Sequence, residues 1–385
     1  MTARRVGANM AVGQIIAQVP TASARARAET ATTLSPRGRM PHAWSAAILS
    51  TAMTERYRAM MVTAPGGPEA LACVELPVVE PSAGQLRVRV RAAGVGATDL
   101  MVLAGRYRYA PKIPVVPGYE IAGTVDAIGP GVTGFTLGQR VAALTVHGGM
   151  AELLVREAEH FLPIPDGVSD IQAAGAILNY VTAWQMIQRV AKVSSGQTAL
   201  VTGAAGGVGT AALQILRLVG ARTYGAASAR KHETVRKQGA IPIDHRAGRL
   251  DRLVRGLEPR GVDCAFDAVG GPNTGPCIRA ARRGGTVVGY GFMGVRGTTA
   301  ALAMFANLLV VARLRGRRGV FYGITMLYRK DPKPLREDLP KIFALVAEKK
   351  LEPVVALTFP LVEAKKAMEL LAGGEVQGKV VLTAV

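Results

Sequence analysis

Four glycines within seven residues, in Val201-Thr-Gly-Ala-Ala-Gly-Gly-Val-Gly-Thr-Ala-Ala-Leu-Gln-Ile215, constrain this chain more than any other feature. The run Thr198–Thr202 before them reads as a short buried strand. After them Val208, Ala211, Ala212, Ile215, Leu216 and Val219 recur at helical spacing. The glycines therefore lie on a strand-to-helix turn, where free backbone N–H groups and the positive end of the helix dipole converge. Such a turn favours a phosphate, and glycine lets the phosphate approach the backbone.

The rest of the chain extends this pattern. Beyond the turn, strands at 222–227, 241–244, 262–267 and 286–290 alternate with helices at 231–238, 250–257 and 277–282. That rhythm predicts a parallel sheet covered on both faces, a dinucleotide-binding fold. Residues 59–178 instead show short alternating strands broken by Gly and Pro, such as Gln85-Leu-Arg-Val-Arg-Val-Arg91, and read as an all-β, barrel-like unit. The last segment holds a helix over 339–351, a strand over 356–361, a helix over 363–371 and a strand over 379–382. These are too few for a domain, so the segment is expected to return to the first unit.

Composition narrows the class. A chain of 385 residues that is 49% hydrophobic and 19% charged has room for two cored domains and is not disordered throughout. Cys73, Cys264 and Cys277 lie far apart and form no CxxC pair, which argues against a disulfide framework or a thiolate zinc site and for a reducing, cytoplasmic setting. The net charge of +20 fits either a polyanionic partner or a surface enriched in arginine by composition. With aromatics at 5% and none interleaved in a basic strand, nucleic acid is not expected as a partner.

Residues 1–52 carry six arginines against one acid, Glu29, and show little periodicity; they fit a basic tail, a targeting segment, or a start assigned upstream of Met53. The apolar stretch Ala300–Ala312 is too short to cross a bilayer. It is expected as a core or interface helix, with peripheral membrane contact through it and the following Arg313, Arg315, Arg317 and Arg318 as the second reading. No integral membrane segment is expected.

Six landmarks in order carry a family resemblance: Ala92-Ala-Gly-Val-Gly-Ala-Thr-Asp99, Pro117-Gly-Tyr-Glu-Ile-Ala-Gly123, Gly138-Gln-Arg-Val141, Leu178-Asn-Tyr-Val-Thr-Ala183, Ala204-Ala-Gly-Gly-Val-Gly209 and Gly378-Lys-Val-Val-Leu382. Over nearly all of residues 59–385 the chain resembles the medium-chain dehydrogenase/reductase superfamily. Within it the match is to the zinc-free quinone oxidoreductase (zeta-crystallin) branch, near the vesicle amine transport protein. The resemblance implies an α/β fold: a GroES-like β-barrel catalytic domain (57–180 plus 321–385) with an inserted Rossmann domain (181–320). The active site is then expected in the cleft between them, and a homodimer is expected.

The coenzyme follows from the second strand of the dinucleotide unit. An NAD-binding unit places an acid after that strand for the ribose 2′-OH. Here Ser228-Ala-Arg-Lys231 follows it, with no acid before Glu233. Ser228, Arg230 and Lys231 could hold a 2′-phosphate, which favours NADPH. Two charge-assisted bonds at about 1.5 kcal/mol each amount to about 100-fold preference. The glycine turn supplies Ala205, Gly206, Gly207, Val208 and Gly209 to the pyrophosphate. The resemblance adds Thr182 beside the nicotinamide, His245 at the adenosine end, and Val269, Tyr290, Phe292, Phe321, Tyr322 and Lys379 around the coenzyme.

At the family's zinc-ligand positions stand Gly96, Tyr119 and Leu178, so no metal is expected. Hydride delivery to an already electron-poor acceptor, a quinone or an α,β-unsaturated carbonyl, is then the accessible chemistry. Tyr107, Tyr119, Asn179 and Tyr180 are the candidate hydrogen-bond donors or walls. Many quinone- and enone-reducing relatives carry Asn where Gly96 stands, which leaves the acceptor open. Two other readings remain: an enoyl-thioester reductase, and an RNA- or membrane-associated protein that keeps NADPH as a structural ligand.

Overall fold

Along β3 (Gln85–Val95) Leu86, Val88, Val90 and Ala92 are buried while Arg89 and Arg91 face outward, the period-2 alternation of a strand with one face on a core. That strand anchors the first of two large sheets in the computed structural model, which describes residues 55–295 and 297–384. The expectations for residues 1–52 lie outside the described residues.

The first sheet is antiparallel at its centre. β3 pairs with β4 (Glu120–Ile128) and with β6 (Leu153–Glu157), β4 with β5 (Arg140–Leu144), and β5 with β7 (Phe161–Pro163). β1 (Arg56–Val62) and β2 (Leu71–Pro77) form a separate hairpin, and α1 (Ala97–Leu103) follows β3. The C-terminal segment returns as expected: β15 (Lys379–Thr383) pairs antiparallel with β3 and parallel with β14 (Val355–Pro360).

The second sheet is all parallel in the order β10-β9-β8-β11-β12-β13. Its strands are β8 (Thr198–Thr202), β9 (Arg222–Ala227), β10 (Ile241–Asp244), β11 (Val262–Asp267), β12 (Ala281–Gly289) and β13 (Arg318–Phe321). In chain order this is the doubly wound 3-2-1-4-5-6 arrangement, whose ligand crevice opens where the winding reverses, between β8 and β11. The helices α3 (Gly207–Val219), α4 (His232–Lys237), α5 (Leu250–Leu257) and α6 (Thr274–Ala280) connect its strands. Over β11 the sheet is apolar on both faces, with Ala265 and Phe266 fully buried.

Between the sheets lies α2 (Asp170–Trp184), started by Ser169, whose hydroxyl accepts from the Gln172 N–H while Gln172 Oε1 accepts from the Ser169 N–H. Buried from Ala173 to Ala183, α2 packs on β4 and on α3. The domain boundaries read from sequence therefore fall inside elements: 180/181 cuts α2, and 320/321 cuts β13.

Two expectations need correction. The late helix α9 spans Lys333–Ala347 rather than 339–351, because Pro340 lies inside it instead of breaking it. The apolar helix α7 runs from Gly297 to Leu314, long and apolar enough to cross a membrane, and only 17% of it is buried. The sequence count stopped short because Gly297, Thr298 and Thr299 before it and Arg313 and Leu314 after it are also helical. Met304, Leu308 and Ala312 pack inward, whereas Leu302, Leu309, Val310 and Leu314 are exposed, so α7 is no core helix. After β13, α8 (Ile324–Lys330) leads to α9, and α10 (Ala364–Ala372) precedes β15.

Candidate active site

The glycine turn sits at the winding reversal. Gly203 has φ +61°, a left-handed conformation that disfavours a side chain, and a Cβ there would stand 3.1 Å from Ala268 on the loop after β11. Gly206 has extended backbone and caps α3, so the first N–H groups of α3 have no partner within the helix. At Gly209 a Cβ would meet the Gly203 carbonyl oxygen at 2.2 Å, so only glycine lets helix and turn close. Facing this turn, Asp267 at the end of β11 accepts from the backbone N–H groups of Val269 and Gly270, from Asn273 and from the hydroxyls of Thr202 and Thr274. Asp267 thus shapes the Val269 loop; it was not among the sequence candidates, and nothing in its local pattern marks it.

Two buried hydroxyls have no hydrogen-bond partner among the described residues: Thr182 Oγ1 on α2 and Tyr290 Oη after β12. Both belong to residues expected at the coenzyme. An unpartnered buried polar atom is costly unless a ligand satisfies it.

The residues expected at the adenosine end are engaged by the chain itself. Arg230 is paired with Glu375, and Lys231 Nζ donates to the carbonyls of Gly374 at 2.6 Å and Val376 at 3.4 Å. Thr234 Oγ1 contacts Gln377 Oε1 at 2.5 Å, and the Gly378 N–H donates to the Ala205 carbonyl at 2.9 Å. Residues 374–378 thus lie over the glycine turn and the Arg230–Lys231 pair. Ser228 is buried at the N-terminus of the short turn holding those cations, and His245 is exposed at the end of β10 with its N–H on Ala227. Burial and the neighbouring Arg230 lower the Lys231 pKa below the usual lysine value, while Glu375 opposes them.

Three hydroxyls form a chain in the catalytic domain. Tyr107 Oη lies 2.7 Å from Tyr119 Oη and 2.6 Å from Thr325 Oγ1 on α8. Tyr107 is half-buried and Tyr119 is 1% exposed. Burial above all, then repulsion from the ionised form of Tyr107, pushes the Tyr119 phenol well above its usual value; burial also raises that of Tyr107. Both stay protonated donors near neutral pH. Thr325, far from them in sequence, was not anticipated.

Behind this chain lies a buried charge cluster. Lys379 Nζ pairs with Glu120 Oε1, with side chains 4% and 0% exposed, and neither atom has a further hydrogen bond. Glu120 Oε2 also accepts the Leu178 N–H. Asp99, fully buried, accepts the N–H groups of Gly96 and Gly118, and burial raises its pKa to about 6 against the pull of Lys379. A Cβ at Gly96 would lie 3.8 Å from Leu178 and 3.6 Å from Lys379 Nζ, so two of the three family ligand positions, Gly96 and Leu178, border one space. Gly96 and Leu178 bring no ligand atom, and the Tyr119 hydroxyl is taken by Tyr107. Among the described residues no group of three His, Cys, Asp or Glu is placed to hold a metal ion. The residues present do not fit zinc.

Several candidates move. The Tyr180 hydroxyl donates to the Glu352 carbonyl at 2.8 Å and to Gln214 at 3.1 Å, so it locks α2 to α3 and is no substrate donor. Tyr322 is 1% exposed and donates to Gln185, which in turn donates to Asp338, so it is core. The Lys379 side chain turns to Glu120 instead of the coenzyme. Asn179 abuts the glycine turn, its amide 2.5 Å from where a Gly207 Cβ would stand. Phe292 and Phe321 pack against Phe305 of α7 in tilted and edge-on contacts, with centroids 6.2 and 5.0 Å from its ring, tying the post-β12 loop to that helix.

Similarity to known proteins agrees with this geometry. Residues 82–185 match the alcohol dehydrogenase GroES-like domain, and residues 239–382 match a domain described as zinc-binding dehydrogenase. The mouse synaptic vesicle membrane protein VAT-1 homolog-like is 32% identical over 340 residues, covering 85% of this chain and 81% of its own length. The quinone oxidoreductase structure from Coxiella burnetii superposes at TM-score 0.72 with 26% identity, over 86% of this chain and all of that one. A mycobacterial protein solved with NADPH superposes at 0.75 with 26% identity, over 85% of this chain and 100% of its own. The chain belongs to the medium-chain dehydrogenase/reductase superfamily as an oxidoreductase of its zinc-free quinone oxidoreductase branch, near the VAT-1 homologues.

Proposed function

We propose that the protein is an NADPH-dependent reductase of quinones or α,β-unsaturated carbonyls that works without zinc. The observation that carries this reading is the Thr325–Tyr107–Tyr119 hydroxyl chain, set beside positions where Gly96 and Leu178 offer a metal nothing. NADPH fits the residues present: the glycine turn and Asn179 would border its pyrophosphate, Arg230 and Lys231 its 2′-phosphate, and Thr182 Oγ1 and Tyr290 Oη the nicotinamide end. The mycobacterial neighbour solved with NADPH supports the same choice. When bound, the coenzyme supplies the hydride.

The protein's own part is orientation and charge. A conjugated acceptor spreads the charge that develops on its oxygen, so hydrogen-bond donors can stabilise it where a Lewis acid is lacking. Tyr107 is the middle and most exposed hydroxyl of the chain; with Tyr119 and Thr325 both donating to its oxygen, its own proton is left to donate to that of the acceptor. Apolar walls from Leu178 and the tyrosine rings exclude water.

Steady-state NADPH oxidation across a panel of quinones and enones tests the reading. Turnover with at least one class is expected; tight NADPH binding with no turnover on any would overturn it. Tyr107→Phe is expected to lower kcat by about 10-fold to 100-fold, from the loss of one donor to the developing oxyanion, with NADPH affinity unchanged. We assign the exposed apolar face of α7, next to the edge strand β13, to a second copy of the chain. Light scattering at micromolar concentration should then give a dimer, and Leu309→Glu/Val310→Glu a monomer; a monomeric parent chain would refute that assignment.

A further inference from the structure

At the end of the parallel sheet opposite the glycine turn, five arginines line one open depression of about 570 Å³: Arg255, Arg260, Arg282, Arg283 and Arg317. Their positions follow from the topology. Arg260 precedes β11, Arg282 and Arg283 open β12, Arg317 precedes β13, and Arg255 ends α5. Gly284 and Gly316, both with positive φ, turn the chain there, and the Gly284 N–H donates to the Gly316 carbonyl at 2.7 Å, drawing the starts of β12 and β13 together. The coenzyme crevice lies at the other ends of these strands, about 15–20 Å away by strand length.

The cluster is pinned more than it is neutralised. Arg255 donates from all three nitrogens to the carbonyls of Arg279, Pro259 and Ala281, at 2.9, 3.1 and 3.4 Å. Arg317 donates to Ala281 at 3.0 Å and to Arg315 at 2.5 Å, and Arg282 to the Arg283 carbonyl at 2.9 Å. Carbonyls fix a guanidinium in place and leave its charge. The carboxylate paired with the cluster is Asp263, on Arg282 at 2.6 Å, and it also accepts from Thr198. Glu258, close in sequence, is turned to Arg222 and Tyr224 instead. Arg260 and Arg283 are exposed and make no side-chain hydrogen bond or ion pair among the described residues. Burial, then the charges of Arg255, Arg315 and Arg283, lower the Arg317 pKa, so the cations do crowd one another.

Like charges held at close quarters disfavour the folded state unless an anion joins them. A solvated arginine face would splay; here backbone hydrogen bonds hold three of the five forks, those of Arg255, Arg282 and Arg317, and Arg260 and Arg283 line the same depression with theirs unengaged among the described residues. Guanidinium forks match phosphate oxygens two at a time, and the space suits a compact molecule, not an extended polymer. We propose that this depression is a second anion site, separate from the coenzyme site, that takes a compact ligand bearing two or more phosphate groups, either free or as the headgroup of a lipid.

The test uses the full chain saturated with NADPH, so that added phosphate cannot enter the coenzyme crevice. Calorimetric titration with inositol hexakisphosphate and with inorganic pyrophosphate reads free-ligand binding, and sedimentation with phosphatidylinositol-bisphosphate vesicles against neutral vesicles reads the lipid source. The variant is Arg260→Gln/Arg283→Gln, whose side chains carry no internal bond and so leave folding and NADPH affinity unchanged. Expected is binding in at least one arm that the variant weakens about 100-fold, roughly tenfold per guanidinium removed. Binding in the vesicle arm alone, lost in the variant, assigns the source to a headgroup. No binding in any arm, or binding that the variant leaves intact, overturns the site. NADPH oxidation measured in parallel separates this outcome from a failure of the proposed reductase activity.

Discussion

Lys379→Met is expected to remove about 3–5 kcal/mol of folding stability, because it leaves the fully buried Glu120 carboxylate without its cation. The effect is large for three reasons on one spot. Both partners are sealed from water, the two paired atoms have no other hydrogen bond, and Asp99 adds a second buried carboxylate that Lys379 also steadies. Urea denaturation at pH 7.5 checks it, and a loss below about 1 kcal/mol would show the pair to be dispensable. Glu120→Gln added to Lys379→Met should recover part of the loss, since no charge is then stranded at position 120. The deficit should also shrink as pH falls from 7.5 to 5, because Lys379 pulls the Asp99 pKa down and its removal lets Asp99 take up a proton at higher pH in the variant than in the parent. Asp99 titrates near 6 in the folded protein and near 3.8 unfolded, so in that window the native state binds a proton that the unfolded chain does not. Its contribution is fully present below 3.8 and lost as pH rises through 6.

Lys231→Glu is expected to weaken NADPH binding by about 100-fold and to leave NADH nearly untouched. One charge-assisted bond is lost and a carboxylate is set against the 2′-phosphate. The structure adds a second arm to this experiment. Arg230 is held by Glu375, and Lys231 by the carbonyls of Gly374 and Val376, so the phosphate must displace contacts the chain makes with itself. Glu375→Gln should therefore tighten NADPH by several-fold while NADH is unaffected. Fluorescence titration of both coenzymes reads both variants. Unchanged NADPH affinity in Lys231→Glu would mean that the 2′-phosphate is recognised elsewhere.

These two experiments also separate kinds of knowledge about the site. Lys231 was legible as a candidate for the 2′-phosphate from its place after the second strand; Glu375, 144 residues later, was not, because its meeting with Arg230 depends on β15 returning to β3. Tyr119 was legible as the residue at a family metal-ligand position and Tyr107 as a candidate donor or wall, yet Thr325 reaches Tyr107 only through the docking of α8. Tyr180 and Tyr322 looked equally available in the sequence. Their hydroxyls went instead to Glu352 and Gln185, a choice made by which face of α2 and which end of β13 turn inward.

By itself the sequence determined the local and the periodic: the glycine turn, the parallel strands in order, the alternating β3, and the absence of ligand atoms at Gly96 and Leu178. Those follow from backbone sterics and hydrophobic period, which act over a few residues. Tertiary structure alone decided the Lys379–Glu120 pair, the strap of residues 374–378 over the coenzyme turn, the exposed length of α7, and the gathering of five arginines at the far end of the sheet. Each depends on strand order and chain return, which bring together residues too far apart in sequence for any local pattern to relate.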